Sequence, residues 1–148
     1  MLRDPSLIPL SQQHHNGLAL CVLTERALGQ DQSAESVARL AQRVVDRYEI
    51  ELTNHFAMEE QLLFPAARAC DPALVDELVA EHRRLEDQVG RLRSQPTPAL
   101  LEEFTALLRS HIRKEENKLF EEIQTRLPRE TLDAIGAEID RLAVRVCL

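Results

Sequence analysis

Apolar residues recur at three- and four-residue intervals along almost the whole chain. The recurrence breaks at Gly29–Ser33, at Asp71-Pro72, at Ser94-Gln95-Pro96 and before Pro128. That interval is the period of an amphipathic helix. The first run starts at an expected N-cap, Ser11, and continues to about Leu28, with Leu18, Ala19 and Val22 on the face of His15. In the second run Val37, Leu40, Val44, Tyr48, Leu52, His55, Glu59, Leu62 and Leu63 share one spacing, and Pro65 is expected to kink or weaken its last turns. Asp71-Pro72 restarts the chain as a cap followed by a proline at the first helical position, where a missing N–H costs nothing. The third run carries Leu74, Leu78, His82, Leu85, Val89 and Leu92. Thr97-Pro98 repeats the device and opens a fourth run with Leu101, Phe104, Leu108, His111, Glu115, Leu119 and Ile123. A shorter fifth run places Leu132, Ile135, Ile139, Leu142 and Val146 on one stripe. Four long helices joined by short loops predict an all-α fold, an antiparallel up-down-up-down four-helix bundle with a short fifth C-terminal helix. The expected layout is a single domain over 1–148, with a lead-in to residue 10, the bundle over 11–126 and the last helix over 129–146.

Composition agrees with that pattern. The 148 residues suit one core, and 44% hydrophobic content with scarce glycine and aromatics is helix-forming material. A net charge of −7 without a basic stripe argues against nucleic acid as a partner. No apolar run approaches the roughly 20 residues of a bilayer span, so no membrane partner is expected. Cys21, Cys70 and Cys147 are odd in number and lack Cys-x-x-Cys spacing. Reduced thiols and a cytoplasmic location follow as expectations, and Cys147 offers a cross-link between two chains on oxidation.

The chemistry enters with a repeat. Residues 54–65 read Asn-His-Phe-Ala-Met-Glu-Glu-Gln-Leu-Leu-Phe-Pro, and residues 110–121 read Ser-His-Ile-Arg-Lys-Glu-Glu-Asn-Lys-Leu-Phe-Glu. Both contain His-x-x-x-Glu-Glu-x-x-Leu-Phe. His55 with Glu59, and His111 with Glu115, each stand one turn apart on one helical face. A weaker likeness joins residues 13–18 to residues 80–85, where a Leu follows His15 and His82 three residues on. The chain therefore reads as two helical pairs, each supplying a single His and then a His-x-x-x-Glu box. The inward set is His15, His55, Glu59, His82, His111 and Glu115. Four imidazoles and two carboxylates suit a pair of first-row metal ions, with two carboxylates shared as bridges.

On these residues the chain resembles the hemerythrin-like, His-His-Glu cation-binding family, from Ser11 to about Leu142. The resemblance implies a four-helix bundle holding a non-haem centre of two iron ions bridged by two carboxylates, with manganese or zinc as alternative metals. The oxygen-carrying members place a further His four residues before the third-helix ligand, where this chain has Leu78. They also place an Asp five residues after the fourth-helix His. Here Glu116 has that spacing but is turned roughly 100° from Glu115, so Glu115 is preferred. A missing imidazole argues against reversible oxygen carriage. It favours binding of, or reaction with, a small ligand such as O2, peroxide or NO, including peroxidase-like or iron-oxidising activity. A module that senses iron or oxygen without turnover is the alternative, and a His phosphotransfer bundle a weaker one, since it has no use for the twin Glu boxes. Glu-x-x-His pairs of ferritin-like oxidases and His-Glu-x-x-His of zinc proteases are absent.

Around the ligand set, His14 is expected to be exposed or to support a ligand. Glu60 and Glu116 are expected to face water or to pair with Arg and Lys; that they accept a ligand's other N–H is the less favoured alternative. Glu86 reads as a surface residue and Tyr48 as core. The chain is expected to be a monomer or a homodimer.

Overall fold

Asp4 opens the helical structure. Its carboxylate accepts the Ser6 N–H and caps a 3-10 turn, Pro5–Leu7, which runs directly into helix α1, Ile8–Gln30. In this computed structural model, which describes residues 2–146, the first helix thus begins ahead of the expected cap. Pro9 lies in its first turn, where a proline needs no partner. Ser11 is inside the helix, and its hydroxyl donates to Glu116 Oε1 at 2.7 Å instead of capping a terminus.

Ser33 caps α2, Ala34–Arg47, through the Ser36 N–H. The chain stays helical from there to residue 67, passing through a π-helical turn at Tyr48–Leu52, α3 at Thr53–Met58, a second π turn at Glu59–Leu63 and α4 at Phe64–Ala67. Pro65 does not stop it, because the residue falls in the first turn after the π segment. Asp71 caps α5, Pro72–Ser94, through the Leu74 N–H, and Thr97 caps α6, Pro98–Lys114, through the Leu100 N–H. Both Asp-Pro and Thr-Pro devices act as expected. A third π turn, Glu115–Leu119, leads into α7, Phe120–Arg126, and α8 follows at Arg129–Leu142. No strand forms among the described residues.

α1 packs on α2 and α6, and α5 packs on α2 and α6, so the long helical segments form a helical bundle. Its interior holds two apolar clusters. One gathers Leu20, Val44, Phe56, Leu85, Phe104 and Ile112, among others. The other gathers Leu10, Met58, Phe64, Leu78, Leu119 and Ile139, among others. Along α1 and α5 the second cluster is met first, as with Leu78 before Leu85. Along 34–67 and 98–126 the order reverses, as with Ile112 before Leu119. In every long segment the His and Glu residues of interest lie where the chain passes from one cluster to the other.

Helix α8 covers the second cluster through Leu132, Ile135 and Ile139. The expected stripe stops there: Leu142 is 39% exposed and ends the helix, and residues 143–146 continue without regular structure. Gly136 lets α8 lie against the 3-10 turn, since a Cβ there would meet Ser6 Cα at 2.8 Å.

Candidate metal centre

Between the two apolar clusters lies a polar layer with almost no solvent. His14, His55, Glu59, His82, His111 and Glu115 are each at most 3% exposed. Their ligand atoms form two overlapping groups, His14, His55, Glu59 and Glu115, and Glu59, His82, His111 and Glu115, with all ligand atoms within 4.8 Å in each. Glu59 and Glu115 belong to both.

Five of the six residues expected from sequence meet here. The sixth is a correction: His15 is exposed on the surface, and His14 takes the place assigned to it. The error lay in register. Matching Leu18 to Leu85 aligned His15 with His82, whereas the structure aligns Gln13-His14 with Glu81-His82. Gly17 then takes the place of Leu85, because α1 approaches α6 too closely for a large side chain. A Cβ on Gly17 would already lie 3.1 Å from Ile112 Cδ1.

With that register the twofold relation is detailed. His14 Nε2 lies 2.9 Å from Glu115 Oε1, and His82 Nε2 lies 3.1 Å from Glu59 Oε1. His14 Nδ1 lies 2.7 Å from Glu116, and His82 Nδ1 lies 2.7 Å from Glu60. Phe120 stacks on the His14 ring at 5.4 Å and Phe64 on the His82 ring at 5.5 Å. The other two imidazoles pair likewise: His55 Nε2 is 3.3 Å from Glu59 and His111 Nε2 is 3.2 Å from Glu115. Each Glu starts a π turn, and the Phe five residues later donates its N–H to that Glu's carbonyl. Such turns widen a helix at a functional position.

Glu60 and Glu116 pair with Arg as expected and also hold the rings from behind, which was the less favoured alternative. Glu60 faces His82 and also pairs with Arg83. Glu116 faces His14 and pairs with Arg3 at 2.8 Å. Glu81, which sequence reading passed over, accepts from His111 Nδ1 at 2.9 Å and pairs with Lys114. A carboxylate can only accept, so the Nδ1 of each of these rings carries a proton, and its Nε2 faces inward. Glu86 pairs with Arg83 at the surface, and Tyr48 packs edge-on to Phe56 at 6.4 Å, beside the site and outside it. Leu78 is fully buried, one turn before His82.

The electrostatics are those of a crowded anionic and basic cluster. Burial, reinforced by the Glu115 charge, holds the Glu59 carboxyl well above its ordinary range. Burial also opposes ionisation of Glu115, but the charge of His111 and the neighbouring Glu59 and His14 outweigh it, holding Glu115 well below. His111 is pushed up to about 9: burial works against protonation, and Glu115 and Glu81 overcome it. His55 is pushed down to about 4, chiefly by burial. Two buried carboxylates this close share a proton unless cations replace it.

The donor set fits such cations. His55 Nε2, His111 Nε2, Glu59 Oε2 and Glu115 Oε2 find no hydrogen-bond partner among the described residues. A buried unpaired polar atom costs about 1–3 kcal/mol, and all four belong to residues of the two overlapping groups. Imidazole and carboxylate together suit first-row divalent ions.

A helical bundle with a buried His/Glu layer between its helices defines a metal-binding bundle protein. The sequence matches the family described as Hemerythrin HHE cation binding domain over residues 9–123. The chain belongs to this family. No curated protein and no solved structure matches it. No helix among the described residues is long and apolar enough to cross a membrane.

Proposed function

We propose that the chain binds two non-haem iron ions, one held by His14 and His55 and the other by His82 and His111, with Glu59 and Glu115 shared between them. Manganese and zinc are the alternative metals. The observation that carries this reading is the sharing itself: the same two buried carboxylates complete both groups, and each has an unpartnered oxygen. The scaffold is an antiparallel up-down-up-down four-helix bundle closed by a fifth helix, a reading supported by the reversing order in which successive segments meet the two apolar clusters. Residues 1–148 form one domain.

Two imidazoles and two shared carboxylates would hold each ion, and Leu78 supplies no further ligand, which would leave room for a small ligand such as O2, peroxide or NO. Bound iron supplies the redox chemistry. The chain's residues do the rest. Glu60, Glu81 and Glu116 hold the Nδ1 protons of His82, His111 and His14, which aims each Nε2 inward, where a metal ion would take the place of its proton. Phe56, stacked on His82 at 3.9 Å, together with Phe64 and Phe120, keeps water from the ring faces. The protein acts in the cytoplasm as a monomer or homodimer, without nucleic acid or membrane. Metal analysis of anaerobically prepared protein, with absorption spectra before and after oxygen, peroxide and azide, tests the reading. About two irons per chain and ligand-dependent spectra are expected; folded protein that takes up no metal refutes it.

A further inference from the structure

The twofold relation fails at one pair. Glu81, the residue before His82, holds His111 from behind; its counterpart before His14 is Gln13, which holds His55 Nδ1 through Oε1 at 2.8 Å. An amide can present an oxygen or an N–H to the ring, so something must fix which. Asn54 does so. Its Oδ1 accepts the Val144 N–H at 3.0 Å and its Nδ2 donates to the Leu142 carbonyl at 3.0 Å. Those backbone partners have unambiguous polarity, so Asn54 has one orientation. Gln13 Nε2 then donates to Asn54 Oδ1 at 3.0 Å and to the Val144 carbonyl at 3.3 Å. Only Oε1 remains for His55.

We propose that the segment following α8 is part of the metal centre: by docking on Asn54 and Gln13 it fixes the proton of His55 on Nδ1, and so controls occupancy of the His14/His55 position. The two positions are consequently unequal. The His82/His111 position is backed by two carboxylates that belong to the bundle. The His14/His55 position is backed by one carboxylate and one neutral amide whose orientation depends on backbone groups of residues 142–144. Metal affinity at that position rises and falls with docking of this segment, and the other position does not follow it. The occupancy claim rests on the proposed metal reading; the claim about the proton does not.

The experiment uses the full chain. In metal-free, 15N-labelled protein, ring-nitrogen spectra should show His55 as a single tautomer with Nδ1 protonated. Asn54→Asp keeps the acceptor and should keep that tautomer. Asn54→Leu, and a chain shortened after Leu142, should give a mixture. In a His82→Ala background, which leaves the His14/His55 position to titrate, Asn54→Leu should weaken Co(II) binding at least about tenfold, as loss of a group supporting a ligand does. In a His14→Ala background it should leave Co(II) binding unchanged. If the shortened chain fails to fold, the Asn54 pair decides alone. His55 protonated on Nε2 in the unaltered protein, equal Co(II) affinity in Asn54→Leu, or an equal loss at both positions would overturn the proposal. Correct tautomers without Co(II) uptake would instead sink the metal reading and leave the relay standing.

Discussion

Replacing Glu59 by Gln separates what the carboxylate does for the fold from what it does for metal. In the metal-free protein burial and the Glu115 charge hold the Glu59 carboxyl well above its ordinary range and so favour its protonated form. A Gln amide is neutral like the protonated acid and fills nearly the same space. The metal-free variant at pH 7 should therefore melt within about 4 °C of the parent, a change of about 1 kcal/mol for a chain of this size. With metal the outcome differs. Saturating one site at a hundred times its Kd stabilises by about 2.7 kcal/mol, or about 5–10 °C. A neutral amide cannot balance the charge of two divalent ions, so the variant's metal-induced shift should fall below about 2 °C. Linkage gives the pH dependence. The raised folded pKa means that the Glu59 proton stabilises the metal-free fold fully below pH 4.5, and that this stability is lost as pH rises through the folded value. The substituted amide has no such proton to lose, so the metal-free variant should gain on the parent towards alkaline pH. His111, pushed up to about 9, contributes the same sign in both proteins and cancels in the comparison. Differential scanning fluorimetry with and without Fe(II) under anaerobic conditions, across mildly acidic to mildly alkaline pH, measures all of this. A full metal-induced shift in Glu59→Gln would refute the shared-carboxylate reasoning.

Three further outcomes are expected. His14→Ala should roughly halve the metal bound per chain while His15→Ala leaves it unchanged, read by metal analysis after gel filtration; the reverse result would restore the sequence-based assignment. Gly136→Ala should destabilise by about 1–3 kcal/mol, because the new methyl meets the backbone of Ser6 and not a yielding side chain; an unchanged urea midpoint would show that α8 moves freely. Cys21 is buried and its thiol is pushed up to about 12 by that burial. Native protein treated with iodoacetamide at mildly alkaline pH should thus be alkylated at the part-exposed Cys70 far faster than at Cys21, as peptide mass spectrometry would report; comparable rates would contradict the packing of α1.

The sequence made the long helices legible because apolar spacing, capping residues and prolines agreed at each boundary. Where a boundary moved, the cause was tertiary: Ser11 looked like a cap until Glu116 took its hydroxyl. The two His-x-x-x-Glu boxes were readable because a one-turn spacing on a helix forces both side chains to one side. His14 was missed since neighbouring helical residues differ only in angle, and the angle was inferred from Leu18, which has no equivalent role in the fold. Gly17 held the better clue, as a small residue where two helices must approach. Glu81 was passed over, and Glu60 and Glu116 were given their place behind a ligand only as the less favoured alternative, for another reason. Each sits at the rim, touching both a buried ring and a surface cation, and periodicity records only the cation side. The role of Gln13 depends on a segment some 130 positions away. Cys147 lies outside the described residues, so a cross-link through it stays an expectation.

The π turns at Glu59 and Glu115 give the two box-bearing segments a break in phase. An extra residue advances each helix by roughly 100° relative to an uninterrupted one. Residues before and after the break therefore keep separate angular registers, and the Leu-Phe pairs reach their own apolar cluster only because of that offset. Deleting a single residue inside either turn, such as Gln61 or Asn117, would straighten the helix while leaving every ligand in the sequence. Downstream of the deletion, Phe64 or Phe120 would swing away from the imidazole it covers. The centre is thus recorded in the count of residues along the rod as much as in their identities.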